Sequence, residues 1–297
     1  MKRFAHFFIS CLVIFLALWG VAEWGVKKVD TEYTHKYRHV YNNPAISTLL
    51  MGASLFENGI NPQLLQDNDS IYDFATSGRW IYWDVLLAKK IFPTMPNLKT
   101  VLFPIAYDVM YASLHFRPCR QEDETNIYEY QKYMEVYYDR VPQKYTCRSG
   151  LYMNQMGFKI WRRHWFNSFG QYALPMRNQQ WETTPDPCVF DSDIAQKCYR
   201  EYTDYLIQFA QICNQNNIRF IAVTPPCADY YVNYITKEGV DNLYALVDSV
   251  RAYYPIEYLN YLDDEEFRSD SIYYNANHLN SIGADMFSKR VRYDFNL

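Results

Sequence analysis

Ser54 closes the run Leu49-Leu50-Met51-Gly52-Ala53-Ser54, and His278 stands far along the chain in Asn275-Ala276-Asn277-His278-Leu279-Asn280. A serine that leaves a buried strand for a helix start presents its hydroxyl at the top of a sheet. That hydroxyl is a weak nucleophile until a base takes its proton, and histidine suits this task near neutral pH. The pair points to nucleophilic acyl chemistry, with the usual acidic third member missing. The other histidines are poorer candidates. His6 lies in the N-terminal segment and His35 and His39 in a polar stretch behind it, while His115 and His164 fall in an aromatic-rich region that favours surface or packing roles.

Strands and helices must bring the pair together. Ile46 to Met51 reads as a buried strand, Ser70 to Phe74 as a weaker one, and Leu98 to Ala106 as a central one. After Gly78, the positions Ile81, Val85, Ala88 and Phe92 repeat at helical spacing, and Pro93 stops the helix. Later, Ile194, Cys198, Tyr202, Tyr205, Phe209 and Ile212 share one helix face, capped near Asp191–Asp193. Ile218 to Val223 follows as a buried strand, Val240, Leu243, Val247 and Val250 mark another helix, and Ile256 to Leu259 an edge strand. In the last helix, Leu279, Ile282, Met286 and Arg290 form one flank with Phe287 beside them. Strands separated by helical segments predict an α/β fold, a parallel sheet with helices on both faces, whose ligands bind at the carboxyl ends of the strands. Ser54, Tyr107-Asp108 and Thr224 all fall at such ends.

Two segments stand outside this alternation. Lys2 and Arg3 precede Phe7 to Ala22, which carries no charge, and the apolar character runs on past Glu23 to Val26. At about 1.5 Å per residue such a helix spans a hydrocarbon layer of about 30 Å. Trp19 and Trp24 fit an interfacial belt, with Lys27 and Lys28 closing the segment. Residues 1–29 are therefore read as an uncleaved signal anchor, with a cleaved signal peptide ending near Gly20 and Ala22 as the rival. Lys2 and Arg3 would keep the N-terminus cytoplasmic and the domain, residues 30–297, outside. Residues 30–44 read as a polar, tyrosine-rich tether. The second segment, 109–190, holds Tyr128, Tyr130, Tyr133, Trp161, Trp165 and Trp181, and reads as an insertion at the active edge: a lid, a substrate groove, or a cover for the sheet edge.

Composition narrows the classes. A formal net charge of -4 argues against nucleic acid, which calls for a basic face. Aromatics make up 18%, with 29 tyrosines, which suits carbohydrate or interface surfaces as well as packing. An outward-facing domain would permit a bridge such as Cys119–Cys147, and Cys198, in a helical stripe, reads as a buried thiol. No Cys/His cluster has metal-ligand spacing, and no cofactor is expected.

Four blocks taken together resemble the SGNH (GDSL-type) hydrolase superfamily: Gly52-Ala53-Ser54, Asn58-Gly59-Ile60-Asn61-Pro62, Ala75-Thr76-Ser77-Gly78, and His278-Leu279-Asn280 with Gly283-Ala284. The resemblance covers roughly residues 46–108 and 190–292 and is closest in style to membrane-anchored bacterial members of surface-polysaccharide or teichoic-acid acylation systems. It implies a flavodoxin-like three-layer sandwich, Ser54 as nucleophile and His278 as base. It also implies the Ser54 and Gly78 N–H groups as oxyanion donors. Two departures matter. The family's acid precedes the histidine by three residues, where this chain has Asn275. An amide can hold the tautomer but cannot offset imidazolium charge; in a serine protease the matching change costs about 10⁴ in turnover. Asp270, Asp263 or Asp264 would have to approach instead. The family's asparagine-bearing block is replaced by Ala106-Tyr107-Asp108, so the third donor would be the Tyr107 hydroxyl.

The resulting expectation is a serine esterase or O-acyltransferase acting on an extracytoplasmic glycan or cell-envelope polymer. The alternative is a catalytically impaired relative serving as a glycan-binding or assembly subunit. A multi-pass membrane acyltransferase is a further expected partner, contacted through the anchor helix.

Overall fold

Strand residues of alternating parity divide cleanly between two apolar cores. Leu49, Val101, Phe103, Phe220 and Ala222 belong to one, and Leu50, Leu102, Ile221 and Val223 to the other. That division is what a sheet buried on both faces requires. The computed structural model describes residues 2–26, 31–66, 70–107, 109–111, 168 and 193–297. Nearly all of the expected insertion lies outside the described residues, with its aromatics, His115 and His164, as do Asp108, Lys27, Lys28, Cys119, Cys147 and Cys188.

The strands are β1 (Thr48–Leu50), β2 (Ile71–Asp73), β3 (Thr100–Pro104), β4 (Arg219–Thr224) and β5 (Glu257–Asn260). All pair in parallel in the order β2-β1-β3-β4-β5. This is the flavodoxin-like doubly wound order, whose strand sequence reverses between β1 and β3. The α/β class and the edge position of the last strand agree with the sequence reading.

Helices α1 (Lys2–Val26) and α2 (Glu32–Asn42) precede the sheet. Then come α3 (Ser54–Gly59), α4 (Pro62–Leu65), α5 (Ile81–Ile91), α6 (Asp193–Gln215), α7 (Asp229–Val232), α8 (Lys237–Arg251) and α9 (Ser281–Phe295). One core takes α2, α5, α6 and α8 through Tyr33, Trp83, Phe209 and Leu243. The other takes α3, α4 and α9 through Phe56, Leu65 and Phe287. Within α1, Lys2–Val21 is long and apolar enough to cross a membrane, with mean hydropathy 2.3 and none of that stretch buried against the domain.

Two expectations need correction. The stretch read as a tether is instead helix α2, opened by a reciprocal Thr31–Thr34 capping box. Tyr33, Lys36 and Val40 step by three or four and are all buried, so a lysine that reads as solvated occupies an inward position. On α9 the buried face is Ala284, Phe287, Val291 and Phe295, rotated from the predicted flank. Ile282 is 47% exposed, and Arg290 turns outward to Glu266 and Asp294. Leu279 is buried, but it precedes the helix and belongs to the loop that carries His278.

Candidate active site

The turn that leads to Ser54 begins at Gly52, directly after β1. Its φ of +100° suits glycine, and a Cβ there would lie 2.6 Å from Pro104 Cδ. The tight turn lets β1 run into α3 with Ser54 as the first helical residue; the preceding Ala53 makes no side-chain cap. A carboxylate from α5 holds the turn in place: Asp84 Oδ1 accepts the Gly52 N–H at 3.2 Å and lies 3.3 Å from Arg79 Nη1. Burial raises the Asp84 pKa to about 6 against the opposing pull of Arg79 and the Gly52 N–H.

Gly78 sits on the loop after β2. Thr76 N–H donates to Gly52 O at 3.1 Å, and Arg79 N–H closes a turn on Thr76 O at 3.1 Å, with Gly78 at φ +73°. Among the described residues, neither the Ser54 nor the Gly78 N–H has a protein acceptor. Both residues line one cavity of about 240 Å³ at the carboxyl ends of β1, β2 and β3, at the point where the strand order reverses.

His278 arrives from the opposite end of the chain. Its loop is pinned by Asn280, the α9 N-cap, whose Oδ1 accepts from Ile282 N (3.0 Å) and Gly283 N (3.1 Å). Asn280 Nδ2 donates back to Ser271 O at 2.7 Å, and its own N–H to Ile272 O at 2.9 Å. A Cβ at residue 283 would sit 2.3 Å from Ile272 O, so the glycine allows the helix to dock there. The His-Leu-Asn-x-x-Gly pattern is thus a set of structural constraints that aim one imidazole.

That imidazole meets the serine. His278 Nε2 lies 2.8 Å from Ser54 Oγ, and Nδ1 lies 3.0 Å from Asn275 Oδ1 and 2.8 Å from Asn277 Oδ1. Asn275 Oδ1 also accepts the N–H groups of Asn277 (3.2 Å) and His278 (2.9 Å), which identifies it as oxygen rather than nitrogen. Two amide oxygens at Nδ1 put the proton there and leave Nε2 with its lone pair toward the Ser54 hydroxyl. Burial pushes the His278 pKa down to about 4, opposed by the charge of Glu57, so the ring is neutral across the physiological range.

Sequence reasoning missed Asn277, Glu57 and Lys36. Glu57 stands one helical turn after Ser54 and is fully buried. Its Oε2 accepts the Ser77 N–H at 3.1 Å and also the Ser77 hydroxyl, and its Oε1 lies 3.5 Å from Lys36 Nζ. Lys36 donates as well to Ala75 O. The pair therefore grips residues 75 and 77, the stretch leading into Gly78. The signal that could have found Glu57 is its i+3 spacing from Ser54; for Lys36 nothing local distinguished it from a surface lysine.

Other expected positions fall elsewhere. Asp263 pairs with Arg268 at 3.0 Å, and Asp264 caps the 3₁₀ turn Glu265–Phe267 and faces Arg290. Asp270 opens a second 3₁₀ turn, Asp270–Ile272, and is exposed. The acceptors at His278 Nδ1 are the two amides, not these carboxylates. Tyr107 is not among the residues lining the Ser54 cavity. Its ring packs edge-on to Tyr111, centroids 6.1 Å apart, and fills the space over Gly239. Thr224, at the end of β4, bonds Ile105 O (2.7 Å) and the Tyr258 hydroxyl (2.8 Å), and is buried in structure.

No protein-family model matches this chain. No curated protein matches it. Among solved structures, a Streptococcus pneumonia protein provisionally described as a platelet activating factor aligns with a TM-score of 0.46 and 13% identity, over 95% of this chain and 99% of that one. A likeness of that size carries no argument about chemistry, which rests on the residues above.

Proposed function

We propose that the protein is an SGNH-type serine esterase or O-acyltransferase working through an acyl-serine intermediate. The observation that carries this reading is the 2.8 Å contact between Ser54 Oγ and His278 Nε2 beside two backbone N–H groups that have no acceptor among the described residues. Ser54 Oγ attacks the ester carbonyl carbon while its proton passes to His278 Nε2. The Ser54 and Gly78 N–H groups are the donors for the oxyanion. The carbonyl re-forms as the ester C–O bond breaks, and the Nε2 proton moves to the leaving oxygen. Water or an acceptor hydroxyl then reverses the sequence, losing its proton to Nε2 and releasing Ser54.

The reading places α1 in a membrane as a single anchor with residues 30–297 on the outer side. Helix length and the basic residues ahead of it support this. The substrate would be an envelope glycan or an acylated polymer near the membrane surface, and α1 is the surface for a multi-pass acyltransferase partner. A second reading, an assembly or glycan-binding subunit with impaired catalysis, draws on the amides at Nδ1 in place of a carboxylate.

Incubation with an activated acetyl ester, followed by mass spectrometry, tests the first reading. Wild type gains one acyl group on Ser54, and Ser54→Ala gains none. Equal labelling of the two would end it, and glycan retention without labelling would favour the second.

A further inference from the structure

The cavity beside Ser54 has two unlike walls. Ser54, Gly78, Asn277 and His278 gather on the reacting side, and Leu55, Trp80, Ile81, Phe103, Val109 and Tyr202 line the rest. Arg79 and Asp84 also border it: Arg79 Nη1 lies 3.3 Å from Asp84 Oδ1 and the guanidinium 4.6 Å above the Phe74 ring, while Asp84 Oδ2 is buried and has no hydrogen-bond partner among the described residues. Among the described residues, the remaining lining offers few polar partners for sugar hydroxyls and much apolar surface. An acceptor glycan therefore belongs at the mouth, and the interior suits the acyl part of the ester.

Volume sets the length of that part. An apolar cavity of about 150 Å³ holds a six-carbon ring. The space here is about 240 Å³, and the ester group takes some of it. We infer that the cavity is an acyl-chain pocket for an alkanoyl group of about six to eight carbons, so the group carried on Ser54 is a medium-length chain and not acetyl. This rests on the acyl-serine reading and adds the substrate class to it.

The test uses the full chain in lipid nanodiscs with 4-nitrophenyl esters from acetyl to dodecanoyl, and an α-aminoacyl ester whose ammonium would seek Asp84. Each buried methylene is worth roughly fourfold, so kcat/KM should rise at least about 100-fold from acetyl to octanoyl and fall by dodecanoyl. Val109→Trp, which fills the pocket, should cut the octanoyl-to-acetyl ratio tenfold or more. Ile81→Ala, which enlarges it, should move the optimum to a longer chain. A second measurement is independent of turnover: Ser54→Ala should bind octanoate, and not acetate, by calorimetry, and should lose that binding when Val109→Trp is added.

A preference for the acetyl or the aminoacyl ester, or a chain-length profile that neither pocket variant moves, overturns the proposal while leaving the acyl-serine reading intact. Octanoate binding of the predicted pattern with no ester turned over and no label on Ser54 would overturn the acyl-serine reading, and with it the group carried on Ser54, while leaving the pocket's chain-length preference standing. Absence of both turnover and octanoate binding overturns both.

Discussion

Two amide oxygens, from Asn275 and Asn277, stand at His278 Nδ1 where a carboxylate would ordinarily offset imidazolium charge. They fix the tautomer without stabilising the protonated ring, and burial lowers the pKa to about 4. The base form of His278 therefore persists well below neutrality. The acid limb of kcat/KM should have its midpoint nearer pH 4 than the ordinary 6.5, read from a pH–rate profile with a buffer series. Glu57 is the carboxylate whose charge raises that pKa, so Glu57→Gln should move the limb lower still. Asn275→Asp brings a charge to the position now held by an oxygen at 3.0 Å. It should shift the limb upward and raise kcat/KM tenfold or more, within the roughly 10⁴ that the reverse change costs in a serine protease. A fall in rate with no pH shift would show that the amide is the working residue.

At the scale of elements, helix α2, which follows α1 in the chain, reaches into the site. Lys36 holds Ala75 O and pairs with Glu57 at 3.5 Å, both side chains fully enclosed. Removing one member of such a pair leaves a buried charge, at a cost of about 3–5 kcal/mol. Lys36→Met should lower the urea midpoint accordingly, and among molecules that remain folded it should reduce Ser54 labelling, because residues 75–78 lose the Lys36 contact to Ala75 O and the charge that keeps Glu57 on Ser77. The α9 N-terminus is the other sensitive element. Gly283→Ala forces a methyl toward Ile272 O at 2.3 Å, and should destabilise by about 1–3 kcal/mol. It should also slow acylation by displacing His278, measured by denaturant titration and label uptake side by side.

For the whole molecule, buried titrating groups oppose one another. His278 binds its proton less well folded than unfolded, so its contribution is full above about pH 6.5 and is lost as pH falls toward 4. Asp73 behaves in the opposite sense: burial raises its pKa to about 7, so its contribution is full below about pH 4 and is lost as pH rises through 7. Asp84, raised to about 6, follows the same sign. Asp73→Asn removes one of the two falling contributions. Its urea midpoint should therefore gain on wild type as pH goes from 5 to 7, and a parallel pair of curves would contradict the assignment.

Much of this molecule was legible in its sequence because local rules decide it. Continuous apolar runs gave the strands, helical spacing gave α5, α6 and α8, and an uncharged N-terminal stretch gave α1. Ser54 and His278 could be picked out by their chemistry, and Gly78 through the resemblance of short blocks, whose residue types turns and caps constrain: Gly52 by its positive φ, Asn280 as an N-cap, Gly283 by close approach. Tertiary structure alone decided the partners. That Lys36 faces inward, that Glu57 joins it and acts on His278, that two amides occupy Nδ1, and that Tyr107 turns to Gly239 are outcomes of contacts between segments distant in the chain. Periodicity marks which face of a segment is apolar. A buried charge breaks that pattern, and its place depends on a counter-charge that only the folded sheet brings near.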